Sequence, residues 1–487
     1  MKSKIVFIIL FSSLILLTAC DSNGEETFES AQENTLITSE IEIDDGSEDG
    51  TTQTTKETEP VVTEENIAES MTNSNELVFD KSAQIEETVI YDENDVKITA
   101  TGLVYANNEV NLRLQIENNS NVSLSFISGS MGYSCNSVNG YMIDDGYLNC
   151  DVAAGKKANG VISFEYSELI TYGITEIADI EIGIEITDDD YNRIYTGPRQ
   201  IKTSIADTYE YNNLNFQNAI TGEALKNKLR YNILYFNPDT VYEDLGISIV
   251  SECIIERNGK TLLLIEVVNN TEEDFFVETS DITVNGLMVE NGTWSYDSIN
   301  SGKTRIVQID ILNTVDELCQ EAFNIKQIGN IELEVGFVDD DIQDIASPTK
   351  ISIDIPNVDV SFDSTGKEVY NSNGLRIVSK GIFDDDSKYS DDKHIILLFE
   401  NTSENDITVN DKYNSLSVNG FMTDYSFYSV RLEAGKNAVS DIRLWGFGLE
   451  KIPITDVSEI TDVDFMISVR DDFGTIVDGD TVSITNN

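Results

Sequence analysis

The sequence repeats one pattern three times between residue 88 and its C-terminal end, and this restricts the fold to a small unit used three times. Each copy carries an alternating apolar segment, an Asn-rich turn, and then Val-Asn-Gly followed by an apolar residue and Met. The last motif occupies residues 138–142, 284–288 and 418–422. An Asn-Gly pair between apolar runs predicts a tight β-hairpin, because both residues tolerate positive φ.

The second half of each copy repeats as well. A Gly-Lys pair at 155–156, 302–303 and 435–436 precedes a strand pattern, and each copy then closes on strict alternation. The alternating apolar residues are Ile180, Ile182, Ile184 and Ile186, then Ile331, Leu333, Val335 and Phe337, and finally Val463, Phe465, Ile467 and Val469. Period-2 alternation indicates strands with one buried face, as in antiparallel sheets. We therefore predict an all-β chain of three tandem antiparallel β-sandwiches, each of roughly 110–120 residues.

The N-terminus carries an export and anchoring pattern. Lys2 and Lys4 precede an apolar run at 5–17, which is shorter than the about 20 residues that a membrane-spanning helix needs. The run ends in Leu-Thr-Ala-Cys at 17–20, which resembles the lipobox of bacterial lipoproteins. The resemblance implies a diacylglyceryl group on the sulfur of Cys20, cleavage just before it, and a lipid bilayer as partner. The alternative is an ordinary signal peptide with a chance cysteine.

The charge balance excludes several classes of function. The chain has 88 acidic and 31 basic residues, one histidine and a formal net charge of −57. Because nucleic-acid binding requires a basic face, we expect no nucleic-acid partner. His394 alone cannot build a zinc site from several histidines or a catalytic group that needs two. Residues 21–75 are acidic and rich in Ser and Thr, and we expect them to be a disordered spacer rather than an acidic docking tail.

The repeated unit resembles the Ig-like extracytoplasmic repeats of bacterial lipoproteins. The resemblance rests on residues 89–102, on the Val-Asn-Gly hairpin and on the closing Asp-rich turn. It implies secretion, a sandwich fold and no catalysis, without naming a ligand. The domain prediction is a signal peptide at 1–19, a lipid-anchored linker at 20–75, Ig-like repeats at 76–205, 239–356 and 357–487, and an inter-repeat segment at 206–238.

These observations predict a non-enzymatic lipoprotein on the outer side of a bacterial cell membrane. Its expected role is binding or adhesion toward an unidentified protein or cell-envelope component, and we expect a monomer. A structural stalk or spacer stiffened by calcium is the alternative. An extracellular solute-binding protein is disfavoured, since such proteins need a cleft between two lobes.

Aspartates cluster where each repeat closes, and they are the candidate metal ligands. The residues are Asp188, Asp189, Asp190, Asp339, Asp340, Asp341, Asp471 and Asp472. Calcium takes six to eight oxygen ligands, often from acidic loops, so calcium is the one cofactor considered. The competing interpretation, which we favour, is that these residues form hairpin turns by hydrogen-bonding to their own backbone.

Cysteines and aromatic residues complete the set of candidates. Cys135 and Cys150 flank the first Asn-Gly turn, so a cross-strand disulfide is plausible outside the cell, while Cys253 and Cys319 are expected to be buried thiols. Tyr141 and Phe421 occupy matching hairpin positions. We interpret them as core or cap residues in preference to a sugar-binding or peptide-binding platform.

Overall fold

The computed structural model describes residues 77–129, 136–289, 296–311, 317–385 and 390–486, all within one unit that begins at Thr72. Strands make up 54% of the described residues and helices 8%. Nearly all strand pairs are antiparallel. The all-β, antiparallel fold class is therefore confirmed. No helix among the described residues is both long and apolar enough to cross a bilayer.

The first repeat builds its sheets from twelve strands and one short helix. They are β1 (Thr88–Glu93), β2 (Val96–Ala106), β3 (Glu109–Asn118), β4 (Leu124–Ser128), β5 (Asn136–Val138), β6 (Tyr141–Ile143), β7 (Leu148–Val152), β8 (Lys157–Glu165), α1 (Tyr166–Thr171), β9 (Asp179–Ile182), β10 (Glu185–Asp188), β11 (Arg193–Tyr195) and β12 (Arg199–Lys202). One sheet has the order β1-β2-β3-β8 and a second has β11-β10-β4-β7. In β3 the predicted alternation is realised, since Val110, Leu112, Leu114 and Ile116 are all buried.

The second repeat is preceded by two short helices and an added strand. The elements are α2 (Asn215–Thr221), α3 (Glu223–Leu229), β13 (Tyr231–Asn237), β14 (Tyr242–Asp244), β15 (Ile247–Arg257), β16 (Lys260–Asn269), β17 (Phe275–Val284), β18 (Leu287–Val289), β19 (Tyr296–Ile299), β20 (Thr304–Asp310), α4 (Glu317–Ala322), β21 (Asn330–Val338) and β22 (Thr349–Asp354). The segment between the repeats thus contributes helices and also β13, which pairs with β15.

The third repeat follows the same order of elements. It contains β23 (Lys367–Ser372), β24 (Leu375–Asp384), β25 (Lys393–Asn401), β26 (Ile407–Asp411), β27 (Ser417–Val418), β28 (Phe421–Met422), β29 (Tyr425–Phe427), β30 (Val430–Leu432), β31 (Asn437–Leu444), α5 (Gly446–Leu449), a 3-10 turn (Val457–Glu459), β32 (Asp462–Asp471) and β33 (Gly474–Thr485). The order β23-β24-β25-β31 reproduces that of β1-β2-β3-β8.

The Val-Asn-Gly motifs form the hairpins that the sequence predicts. Asn139, Asn285 and Asn419 have φ near +50°, and the glycine after each also has positive φ. Each asparagine side chain also binds the start of its repeat's closing strand. Asn285 Oδ1, for example, accepts from the backbone N–H of Gly329 at 2.9 Å and of Asn330 at 3.2 Å, and its amide donates to the Gln327 carbonyl at 2.7 Å. The asparagine therefore fixes both the turn and the neighbouring strand.

Candidate interaction surface

Sheets continue from one repeat into the next through a short hairpin strand that also stays paired within its own repeat. We call β6, β18 and β28 the hairpin edges, and β8, β20 and β31 the Gly-Lys strands. The hairpin edge β6 pairs in parallel with the Gly-Lys strand β20, where the Thr304 N–H donates to the Gly140 carbonyl at 2.9 Å. The edge β18 pairs in parallel with β31 over Leu287–Val289. Both joints between repeats thus use the same two elements in the same direction.

The methionine of each inner hairpin edge packs into the next repeat. Met142 of the first repeat is 1% exposed and belongs to the second hydrophobic cluster, and Met288 of the second is 4% exposed and belongs to the third. The Glu433 backbone N–H also points to the Met288 sulfur at 3.2 Å. In return, Ile306 packs into the first cluster and Val439 into the second. Other apolar side chains of the following repeat pack back in the same way, namely Cys253, Ile255, Leu262 and Leu264 at the first joint and Val378, Ile396 and Leu398 at the second. Each joint is therefore an apolar contact to which both repeats contribute.

An ion pair accompanies each exchange. Lys303, the lysine of the second Gly-Lys pair, lies 3.2 Å from Glu181 of the first repeat. Lys436, the lysine of the third, lies 2.7 Å from Glu332 of the second repeat. The first pair is well shielded, with side chains 13% and 16% exposed. Because charges shielded from water interact more strongly than surface charges, this pair helps to fix how the first two repeats align with each other.

The hairpin edge of the third repeat is largely open to solvent. β28 is the last strand of its sheet and pairs only with β27. Phe421 is 62% exposed and Met422 is 59% exposed, although both occupy positions that are buried in the two inner edges. Tyr141 is buried in the core, as we interpreted it, but the interpretation does not hold for Phe421.

A cavity of about 410 Å³ lies where the first two repeats meet. Its lining includes Glu168, Asp144 and Tyr172 of the first repeat and Arg257 and Ile306 of the second. Burial, reinforced by the nearby Asp144 carboxylate, raises the pKa of Glu168 to about 7. Burial likewise raises the pKa of Tyr172 well above its ordinary value. The joint thus encloses a carboxyl group that titrates near neutral pH.

The aspartate clusters sit in the hairpin turns that end the closing strands. Asp188 Oδ1 accepts the backbone N–H of Asp190 and of Asn192, both at 2.9 Å. Asp339 binds two backbone N–H groups of its own turn in the same way, and so does Asp471. The hydrogen bonds from Asn192 hold the pKa of Asp188 below its usual range.

In each cluster the first aspartate, which is Asp188, Asp339 or Asp471, accepts hydrogen bonds from the backbone of its own turn. Among the described residues, no group of three or more His, Cys, Asp or Glu side chains is placed to hold a metal ion. Calcium binding stays a prediction for all eight aspartates, Asp188, Asp189, Asp190, Asp339, Asp340, Asp341, Asp471 and Asp472.

The structure describes only some of the candidate cysteines. Cys20 and Cys135 lie outside the described residues, so lipidation and the disulfide to Cys150 stay predictions. Cys150 is half-buried in β7 opposite Phe126 of β4, and Cys253 and Cys319 are buried.

His394 has a side chain that is 12% exposed, and its Nδ1 lies 2.6 Å from Asp441. Sequence reasoning overlooked the joints. Their signal was the recurrence of Met, Gly-Lys and a closing-strand carboxylate in all three copies.

Comparison with known proteins gives no family for this chain. No family model matches it, and no curated protein matches it significantly. Solved structures align at low identity. A transglutaminase of red sea bream is 9% identical with a TM-score of 0.15, and the alignment covers 53% of this chain but only 31% of the enzyme.

Two further structures align over more of the chain. One is described as a Ca²⁺-stabilized adhesin with which an Antarctic bacterium binds ice; it is 11% identical, with 82% of this chain and 74% of that chain covered and a TM-score of 0.15. The other is the BSP domain of a biofilm-associated protein, 11% identical, with 86% and 69% covered and a TM-score of 0.12. Scores this low carry no argument about function.

Proposed function

We propose that this protein is a lipid-anchored extracytoplasmic protein without catalytic activity, which binds a protein or cell-envelope component through its loops or sheet edges. The observation that carries the proposal is the joining of consecutive repeats by shared sheets, exchanged apolar side chains and ion pairs. Joints of this kind hold the repeats in fixed relation to one another, as a display scaffold requires. A hinged enzyme or a two-lobed solute-binding protein needs the opposite, a joint that opens and closes.

The charge distribution supports a role outside the cell at a distance from the membrane. With a formal net charge of −57, the chain is repelled by anionic lipid and by nucleic acid. An acidic spacer after the acylated cysteine would extend and keep the folded part away from the bilayer surface. Binding is then directed outward, toward a neutral or basic surface.

The experiment separates anchoring from binding. In cells, we expect the protein in the membrane fraction and the Cys20→Ser variant released or retained as an uncleaved precursor; equal fractionation of the two would contradict the anchor. For binding, the chain from residue 21 onward, which retains every described residue, is titrated against purified envelope fractions. Saturable binding supports the proposal. Hydrolysis of peptidoglycan, glycan or peptide that one point substitution abolishes would overturn it.

A further inference from the structure

The cavity of about 410 Å³ at the first joint has an apolar floor and a polar rim. The floor consists of Ile255, Leu262 and Leu264, on the face of the second repeat's sheet that packs toward the first repeat. Ile255 and Leu262 are cross-strand partners, and Leu264 follows on the same face. The exposed Ser167 and Gln308 stand at the rim. An apolar interior with a few polar groups is typical of small-molecule sites, whose volumes are about 300–1,000 Å³.

Arg257 lies at one end of the apolar floor. It is the last residue of β15, two residues beyond Ile255 on the same face, and it is the cross-strand partner of Tyr231 in β13. Its Nε is buried without a hydrogen-bond partner among the described residues, and its guanidinium forms no ion pair with any of them. Because an unpaired buried donor is costly, this position favours an acceptor from outside the chain.

The charge around this end of the cavity is positive, although the protein as a whole is acidic. A neighbouring depression, which Tyr231 also lines, holds Arg230 and Lys226. Lys226 pairs with Glu223 at 2.9 Å, whereas the exposed Arg230 forms no ion pair with a described residue. Charges are screened beyond about 8 Å at physiological salt. The two unpaired arginines therefore count for more here than the distant carboxylates of a chain with a net charge of −57.

The wall on the first repeat has the opposite character. Glu165 is exposed there, and Glu168 lines the cavity with its Oε1 bound to the Asp144 backbone N–H at 3.0 Å. An anionic group is therefore repelled from that wall and attracted to Arg257. From the level of Arg257 to Leu264 the sheet extends about 13 Å, at about 3.3 Å per residue. A molecule with a negative head and an apolar tail thus has one favoured orientation.

We propose that this cavity binds a small monocarboxylic acid with a hydrocarbon chain, its carboxylate on Arg257 and its chain along Ile255, Leu262 and Leu264. The carboxylate accepts from the unpaired Nε, and a guanidinium is suited to hold both of its oxygens. An extended eight-carbon chain is about 9 Å long at bond lengths near 1.5 Å, so it fits the apolar floor. Because the walls belong to both repeats, the bound acid ties them together. The site goes beyond the proposed function, since it is separate from the loops and edges that would bind an envelope partner.

Calorimetric titration of octanoate into the chain from residue 21 onward tests the proposal. The titration is run at about pH 7.5, where the octanoate carboxyl is ionised, and in about 0.15 M NaCl. We expect one saturable site per chain with a Kd below about 1 mM. Octylammonium reverses the charge, octanamide removes it and butyrate shortens the chain, and each should bind at least about tenfold more weakly. No saturable binding of octanoate up to about 10 mM, or equal binding of octylammonium, would overturn the proposal. Tighter binding of N-acetyl-leucine than of octanoate would overturn the assignment of a hydrocarbon chain.

Variants of one arginine locate the site. Arg257→Gln removes the charge and should weaken octanoate binding at least about tenfold. Since Arg257 forms no ion pair with a described residue, the variant should keep the melting midpoint of the parent protein in the absence of octanoate. Arg193→Gln is the matched control, at an exposed arginine of β11 that does not line the cavity, and should bind octanoate as the parent does. Equal affinity of the parent and Arg257→Gln would refute the assigned carboxylate position.

Filling the cavity gives a second, independent test. Thr171→Phe adds a large side chain from α1 and leaves Arg257 in place, so it should also weaken octanoate binding at least about tenfold. Saturating octanoate should raise the melting midpoint of the parent by a few degrees and leave that of Arg257→Gln unchanged. Unchanged binding by Thr171→Phe, or an equal rise of the midpoint in parent and Arg257→Gln, would show that octanoate binds elsewhere and would contradict the proposal.

Discussion

Glu168 is a half-buried residue that lines the cavity at the joint between the first two repeats, and replacing it should change how stability depends on pH. Its Oε1 accepts the Asp144 backbone N–H at 3.0 Å and lies 3.5 Å from the Tyr172 hydroxyl. Asp144 and Asp145 repel its negative form, while Arg305 pairs with Asp144. Burial is the largest of these effects and raises the pKa of Glu168 from 4.5 to about 7.

The direction in which stability changes with pH follows from proton binding. Between pH 4.5 and about 7 the folded protein holds a proton on Glu168 that the unfolded chain has already released. The contribution of this group to stability is therefore present below pH 4.5 and is lost as the pH rises through about 7. Above that range the buried carboxylate costs the folded state roughly 3 kcal/mol. Glu168→Gln is neutral at every pH and can still accept the Asp144 N–H, so it should relieve most of that cost.

Calorimetric melting of the parent and Glu168→Gln at about pH 5 and about pH 8.5 measures the effect. We expect similar midpoints at the lower pH and a variant that is more stable by several degrees at the higher pH. Glu165→Gln, at an exposed neighbour on the same cavity, controls for the loss of one negative charge. A midpoint difference that is the same at both pH values would refute the reasoning, as would a Glu168 carboxyl carbon that titrates near 4.5 by NMR.

Three further predictions concern the joint, the hairpin and the aspartate turns. Lys303→Met leaves the shielded Glu181 carboxylate without its partner and should lower the free energy of unfolding by about 2 kcal/mol. A double-mutant cycle with Glu181→Gln, measured by chemical unfolding, gives the coupling energy of the pair. A coupling energy below about 0.3 kcal/mol would contradict a joint held by this pair. Asn285→Ala removes a residue suited to a φ of 51° together with three hydrogen bonds to the backbone. The free energy of unfolding should fall by about 2–4 kcal/mol. A fall of less than about 1 kcal/mol would be inconsistent with that role. Asp339→Ala should lower the melting midpoint equally in calcium, in magnesium and in chelator, since the Asp339 carboxylate already binds its own turn; a rise of the parent midpoint in calcium alone would favour the stiffened stalk.

The parts of the fold that local chemistry determines could be predicted from the sequence. Alternation in β3 and the Asn-Gly pairs specify strands and turns within a few residues, because backbone geometry at these positions depends on the residues themselves. The aspartate turns belong to the same class, since Asp188 bonds to groups only two and four residues away.

The joints could not be predicted, because hydrophobicity does not say which core a side chain enters. Met142 and Met288 look like ordinary core residues of their own repeats, yet each packs into the next one. The pairing of β18 with β31 likewise joins segments far apart in sequence, and no periodicity encodes that distance. The exposure of Phe421 could not be predicted for the same reason. Phe421 occupies the sequence position of the buried Tyr141, yet it is 62% exposed.

The inner joints also impose an order on how an exported chain acquires its structure. Edge β18 can form as soon as the second repeat has crossed the membrane, but its partner β31 follows only after most of the third has crossed. Until then Leu287 and Met288 present an open, apolar strand of the kind that recruits the wrong neighbour. The acidic exterior then has a kinetic use, because it keeps nascent chains apart while each edge waits for its partner. A chain truncated before residue 357 would hold that intermediate in place, with Met288 as exposed as Met422 is in the present structure.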